Sequence, residues 1–469
     1  SKSAVKLLAP AGDAGLFRWV ALLTGSKNMV KGVGFLLGAA LLATGFLFDS
    51  SGDVAVHPAA MAVLLAIVCV PLIRWAVAGD ERLFRIAVGG MALKAVGTYL
   101  RIELTGNGSD AQFYNFAGRS IADWLSEGFV WPNDSRLQFR GEGTTNLSYI
   151  VGWVYRVLGA RLITAYVVFA FISFAGSLLF YRAATSAIPQ LDKTRYAQLL
   201  FFTPSMLFWP SSLGKDAWMV GCLGLAAFGV SGLTQHRYSM RYVAALVTGL
   251  GLAGWIRPHM AALTAVALIA AIVWPTRSDG NRTRQIIGVL LGFVILSVTL
   301  GQVAEQFGSE RFEVTSVLDQ AEDVTAEGNS EFTPWRITGP HNLIPGAAAV
   351  IFRPVPIEAT TNLQLISSIE GVALLVLVAV SLERLKMVPR TFRENGYLRF
   401  AVIYVLGFVI AFSVISNFGI LARQRSQLWP FLLVLVALLP KMSGRSEVIG
   451  DAPNLSIEPS PSLQTDTDR

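Results

Sequence analysis

Charge is in short supply in this sequence. Asp, Glu, Lys and Arg make up 15% of the 469 residues, where soluble domains run near a quarter, and 53% are hydrophobic. Mean hydropathy is +0.53. So little charge excludes an ordinary water-covered surface and points to a lipid-facing one. Cysteine is almost missing too: Cys69 and Cys222 both fall inside apolar runs, which excludes a disulfide framework or a zinc site and leaves them as packing residues. There is no glycine-rich nucleotide motif, no cluster of metal-ligating side chains, no repeat of fixed period and no duplication of the two halves. The net charge of +7 would suit a nucleic-acid partner in a soluble chain. In an apolar chain its distribution matters more, and it reads as a topology signal with no nucleic acid implied.

What the chain does have is long apolar runs. Stretches of roughly 17 to 25 residues, enough to cross a hydrocarbon core of about 30 Å, recur from Val33 to Leu439. They predict an all-α, polytopic transmembrane helical bundle of about twelve spans, within a range of ten to thirteen. The spans fall near 32–48, 58–77, 84–101, 161–181, 196–212, 216–233, 241–256, 259–275, 286–303, 363–382, 398–417 and 426–439. The first lacks a small-residue cleavage pattern behind it and is expected to stay as a span. Residues 1–31 form an N-terminal segment, 32–440 the membrane domain, and 441–469, rich in Pro, Ser, Thr and Asp, a disordered tail.

Lys and Arg collect on alternate loops: Lys2 to Lys31, Arg82 and Arg85, Arg182, Lys193 and Arg195, Arg237 and Arg241, Arg277 to Arg284, and Arg384 to Arg393. The positive-inside rule makes that side cytoplasmic, with both termini inside and two long loops, 102–145 and 304–362, outside. Within the first loop the stretch from Asp110 to Leu125 reads as a short helix, and after it Asn146–Leu158, with Tyr149, Trp153 and Tyr155, reads as an amphipathic helix at the interface.

An ionisable group in or beside hydrocarbon is costly, so its presence asks for a reason. Those that do not belong to the basic loops gather at the outer ends of different spans. Asp110 and Tyr114 follow the third span; Asp110 is either a general base for an acceptor hydroxyl or, with Ser109, simply a helix cap. Lys215 and Asp216 close a tight turn, Trp209 to Gly214; Lys215 either meets a phosphate oxygen or snorkels, and Asp216 is available to cap. Arg257 and His259 flank Pro258 between two apolar runs, suited to phosphate contact and proton transfer, or to interfacial anchoring and packing. Arg353 and Glu358 sit in a proline-rich approach to a span carrying Glu370, which must face the protein interior and is expected to pair with an Arg. Arg423 and Arg425 lie between the last two spans, against the positive-inside trend. Lys94 and Glu370 are the main charges away from that outer level.

With Asp110–Tyr114, the Trp-Pro-Ser-Ser-Leu-Gly-Lys-Asp core ending at Asp216, the Arg-Pro-x-Pro-x-Glu segment ending at Glu358 and the motif from Asn417 to Arg425, the chain resembles bacterial membrane glycosyltransferases of the GT-C superfamily, in the family-39-like group. The last three motifs are also similar to membrane proteins of exopolysaccharide assembly. The resemblance implies a multi-pass enzyme of the bacterial plasma membrane; with no nucleotide motif or metal-ligand cluster in the sequence, no cofactor and no obligatory metal are expected. It would move a sugar from a polyprenyl-phosphate donor to a glycan, lipid or protein acceptor on the outer face. By motif position Asp110 is the catalytic carboxylate, although the family often has paired acidic residues there and this chain has Asp110 followed by Ala111. Tyr114, Lys215, Asp216, Arg257, His259, Arg353, Glu358, Glu370, Arg423 and Arg425 would hold substrate. Three other readings stay open: an O-antigen-type polymerase or ligase, a transporter or flippase for a polysaccharide precursor, and an envelope scaffold.

Overall fold

A computed structural model of the chain describes residues 57–104, 109–132, 134–137, 141–235, 237, 239–274 and 331–440, with isolated positions from 289 to 301. The expected N-terminal segment, the span at 32–48, the tail from 441 and most of the span at 286–303 lie outside the described residues.

The described chain is helical, in the order α1 (Pro58–Ala76), α2 (Glu81–Leu104), α3 (Asp110–Glu127), α4 (Glu142–Leu158), α5 (Leu162–Ala187), α6 (Lys193–Phe202), α7 (Pro204–Phe208), α8 (Lys215–Leu233), α9 (Met240–Ile256) and α10 (Pro258–Val273). After residue 331 come α11 (Leu343–Phe352), α12 (Asn362–Val380), α13 (Leu382–Leu385), α14 (Val388–Glu394), α15 (Gly396–Phe412), α16 (Phe418–Gln424) and α17 (Trp429–Val436). Extended pairing among the described residues is limited to two isolated bridges, Leu191 with Leu438 and Glu331 with Asn417.

The all-α expectation holds, but the count of about twelve spans does not. Five described helices, α1, α2, α5, α8 and α12, are long and apolar enough to cross a membrane, and six if α13–α14 and α15, bent by 116°, count as one broken span. The expected span at 196–212 is split because Thr203 is extended ahead of Pro204, as a residue before proline prefers. The one at 426–439 reduces to a 3-10 turn and the eight residues of α17, which rise only about 12 Å. α9 and α10 are apolar but have 17 and 16 residues, about 25 Å, short of a full crossing. Hydropathy alone cannot separate a helix that faces lipid from one buried in protein. Here 22% of the apolar window of α1 is buried and 78% of that of α8, so α8 is the central post of the bundle.

α8 packs against α5 and α9. The α5 contact works at backbone range, since a Cβ on Gly224 would strike Gly176 and one on Gly176 would strike the Val220 carbonyl. Such close approach favours van der Waals packing where lipid supplies no hydrophobic drive between helices. The two expected short helices, α3 and α4, pack against each other. Ile121 and Val151 are fully buried, Tyr155 Oη donates to Asn115 Oδ1 at 2.8 Å, and Phe129, Trp131 and Trp153 stay exposed as an aromatic edge.

The interrupted stretch between α6 and α8 satisfies its backbone with side chains, as irregular backbone inside a bundle must. Pro210 has no N–H for the Met206 carbonyl, and the buried Lys94 Nζ fills that place at 2.7 Å. Ser173 Oγ donates to the Pro210 carbonyl, and Glu370 accepts from Ser205 N at 2.9 Å and from Ser205 Oγ. At the opposite end of the bundle from the Lys215 turn, residues of several basic loops meet: Arg195 Nη2 donates to Ser381 Oγ at 2.7 Å, Arg384 Nη1 to the Leu438 carbonyl at 2.9 Å, and Asn395 Nδ2 to the Ala187 carbonyl at 2.6 Å.

Candidate functional site

Four helices begin at one place. Asp110 is the first residue of α3, Thr144 lies in the first turn of α4, Lys215 and Asp216 open α8, and Arg257 precedes Pro258 at the start of α10. Each start leaves N–H groups without intrahelical partners and carries the positive end of a helix dipole. Arg423 and Gln424, at the end of α16, complete the ring.

The carboxylates here are not used as caps. Ser109 stands at the N-cap of α3 without a side-chain cap bond, and its buried hydroxyl has no partner. Asp110 Oδ2 instead accepts from Arg423 Nη1 at 2.7 Å. The N-cap of α8 is Gly214, and Asp216 Oδ1 accepts from Arg257 Nη2 at 3.0 Å. The second face of Arg257 is also engaged, with Nη1 donating to Gln424 Oε1 at 2.8 Å. Lys215 Nζ does not reach a carboxylate but donates to Thr144 Oγ1 at 2.9 Å.

The two ion pairs differ in setting. The Asp110 and Arg423 side chains are 67% and 33% exposed, those of Asp216 and Arg257 11% and 13%. Burial alone would weaken the positive charge of Arg423. The carboxylates of Asp216 and Asp110, with the hydrogen bond to Asp110, outweigh it and hold the guanidinium above its ordinary pKa. Tyr114, one turn along α3, is 3% exposed; burial and then the Asp110 charge push its phenol upward against the opposing pull of Arg257 and Thr144.

Thr144, Gln424 and Arg101 were not singled out from sequence. Arg101, in the last turn of α2, donates from Nη2 to Ser212 Oγ at 3.3 Å, and its guanidinium lies over Phe208 and Trp209 at 5.1 and 5.2 Å. It shares the electrostatic field of Asp216, Arg423 and Asp110. A signal for it existed: like Arg423, it is a cation at the outer end of a span. Thr144 and Gln424 carry no such mark.

The remaining expected site residues lie outside the ring. His259, half-buried beside Arg257, has its Nδ1 unpartnered and its ring 6.5 Å from that of Phe412. Arg353 pairs with Glu358 at 2.6 Å, donates to the Thr333 carbonyl at 3.1 Å, and lies 4.5 Å above the Phe332 ring. Burial works against the Glu358 charge, yet the bonds from Arg353 and Val355 N hold its carboxyl below the ordinary range. Arg425 is buried and donates to the Val350 carbonyl at 2.7 Å and to the Arg353 carbonyl. Glu370, expected to pair with an Arg, takes Ser205 instead, because the start of α7 offers donors while Arg425 turns to carbonyl oxygens. These four residues brace the chain around α7, α11 and α16. They are not part of the ring around Lys215.

Among the described residues, no three His, Cys, Asp or Glu side chains come together as a metal site. Compared with known protein families, with curated proteins and with solved structures, the chain matches none. Fold and composition together define an all-α protein with several apolar helices of membrane-crossing length.

Proposed function

We propose that this protein is a membrane glycosyltransferase that takes a sugar from a polyprenyl-phosphate donor and passes it to a cell-envelope glycan, lipid or protein. The observation that supports this reading most is the meeting of four helix starts with Lys215, Arg257, Arg423 and Arg101 around one exposed carboxylate, Asp110. Helix N-termini and cations favour an anionic group. A carboxylate beside them suits removal of a proton from an acceptor hydroxyl.

In this reading the acceptor oxygen attacks the anomeric carbon as its proton passes to Asp110. The bond from that carbon to the phosphate oxygen breaks, and the lipid phosphate leaves with the electron pair. Arg423 holds Asp110 in place, and the surrounding cations stabilise the charge growing on the leaving phosphate. The site is then on the outer face of a bacterial plasma membrane, with the basic loops in the cytoplasm.

Asp110→Asn in liposomes supplied with radiolabelled polyprenyl-phosphate sugars is the direct test. Loss of about 100-fold or more in transfer, with wild-type donor binding, is expected for a general base. Full transfer by this variant would remove the proposed mechanism and favour a polymerase that relies on its arginines. A second reading, a polysaccharide-precursor transporter, draws on the interrupted stretch between Lys94 and Glu370, since transporters bind at broken helices. Movement of labelled precursor across vesicle membranes without any new glycosidic product would favour it.

A further inference from the structure

The cations of the site divide by the partners they hold. Arg423 is engaged by Asp110, and Arg257 by Asp216 and Gln424. Lys215 and Arg101 instead donate to neutral hydroxyls, those of Thr144 and Ser212. Four cations against two carboxylates leave two positive charges in excess, and they reside on this second pair.

Arg101 is the better prepared of the two. A guanidinium carries five N–H donors in a planar fork, and its pairing with Ser212 uses one. Its face lies over the Phe208 and Trp209 rings, which limits its rotation. Its Nε is buried and has no hydrogen-bond partner, a costly condition that a ligand oxygen would relieve. Ser212 belongs to the turn that delivers Lys215, so one short segment positions both groups.

Resting on the reading above, we propose that Arg101 and Lys215 form the phosphoryl-binding contact of the site, while Arg257 and Arg423 hold its two carboxylates. Arg101 supplies a fork for two phosphoryl oxygens and Lys215 a point charge. The recognised chemistry is a phosphoryl group, borne by a lipid headgroup or by a soluble anion.

The full chain in phosphatidylcholine nanodiscs, titrated calorimetrically with dodecyl phosphate and separately with inorganic phosphate, tests this. Wild type is expected to bind dodecyl phosphate saturably, and Arg101→Gln to bind it about 10-fold or more weakly, the scale of one charge-assisted hydrogen bond. Arg119→Gln, which removes an exposed cation of α3 that contacts Asn115, should bind as wild type does. Preference for dodecyl phosphate assigns the contact to a lipid headgroup; equal affinity for inorganic phosphate, equally weakened by Arg101→Gln, assigns it to a soluble anion. Wild-type affinity in Arg101→Gln would overturn the proposal while leaving an anionic donor held by Arg257 and Arg423. If neither probe binds wild type, both readings fall. Arg101→Lys keeps the charge but loses the fork, so it covers the case in which Arg101→Gln does not fold. It should bind several-fold more weakly than wild type, and an unchanged affinity would count against the contact.

Discussion

The two ion pairs of the site involve the same chemistry but should respond very differently to removal of a carboxylate. In the pair of Asp110 with Arg423 the carboxylate is open to solvent and the guanidinium half-buried, and a solvent-exposed pair contributes about 0–1 kcal/mol. Asp216 with Arg257 is nearly dry, and breaking a buried pair leaves a lone charge at a cost of about 3–5 kcal/mol. Asp216→Asn should therefore lower the apparent Tm of the detergent-solubilised protein substantially, and Asp110→Asn hardly at all. Equal losses would show that the exposure difference does not govern the site. The contrast also makes Asp110→Asn a clean probe of chemistry, because its fold should survive. The charged members of the ring other than Arg101 were legible in the sequence because charge beside apolar helix is rare. Their pairing was not: Asp110 and Arg423 are 313 positions apart, and only the folded chain brings them to 2.7 Å. Glu370 misled for a related reason, since a buried acid is satisfied as well by a helix start as by an arginine.

At the level of elements, the stretch from α6 to α8 shows where hydropathy reading stops. Its residues are apolar enough for a span, yet Pro204 and Pro210 remove two donors and divert the chain into a short helix and a turn. Lys94 repairs the second loss by donating to the Met206 carbonyl, the acceptor that the N–H of residue 210 would otherwise use. Trp209 keeps helical backbone angles, φ −62° and ψ −49°, so a residue with an N–H at 210 could make that bond. Lys94→Met should therefore destabilise the protein by about 1–3 kcal/mol, through an orphaned carbonyl. Pro210→Ala should recover part of that loss in the double variant while doing little by itself. Thermal unfolding of the four proteins gives the coupling directly, and strictly additive effects would show that Lys94 and Pro210 act independently.

Over the whole molecule, charge and polarity are sorted to two ends. One end carries the ring of helix starts around Asp110 and the exposed aromatic edge of α3 and α4; the other carries the basic turns around Asp192, Arg195, Arg384 and Lys386. The sorting of charge to two ends was legible although the number of spans was not, because loop charge is read from the sequence alone and survives whether a helix crosses fully or stops short. Both native cysteines are buried, so an impermeant maleimide should find little to label in the natural protein. A cysteine in place of the exposed Glu127, beside the aromatic edge, should react in intact spheroplasts, and one in place of Lys386, whose side chain is 69% exposed, only after lysis. The reverse pattern would put the Asp110 ring in the cytoplasm, where a donor held by its lipid tail in the outer leaflet could not reach it.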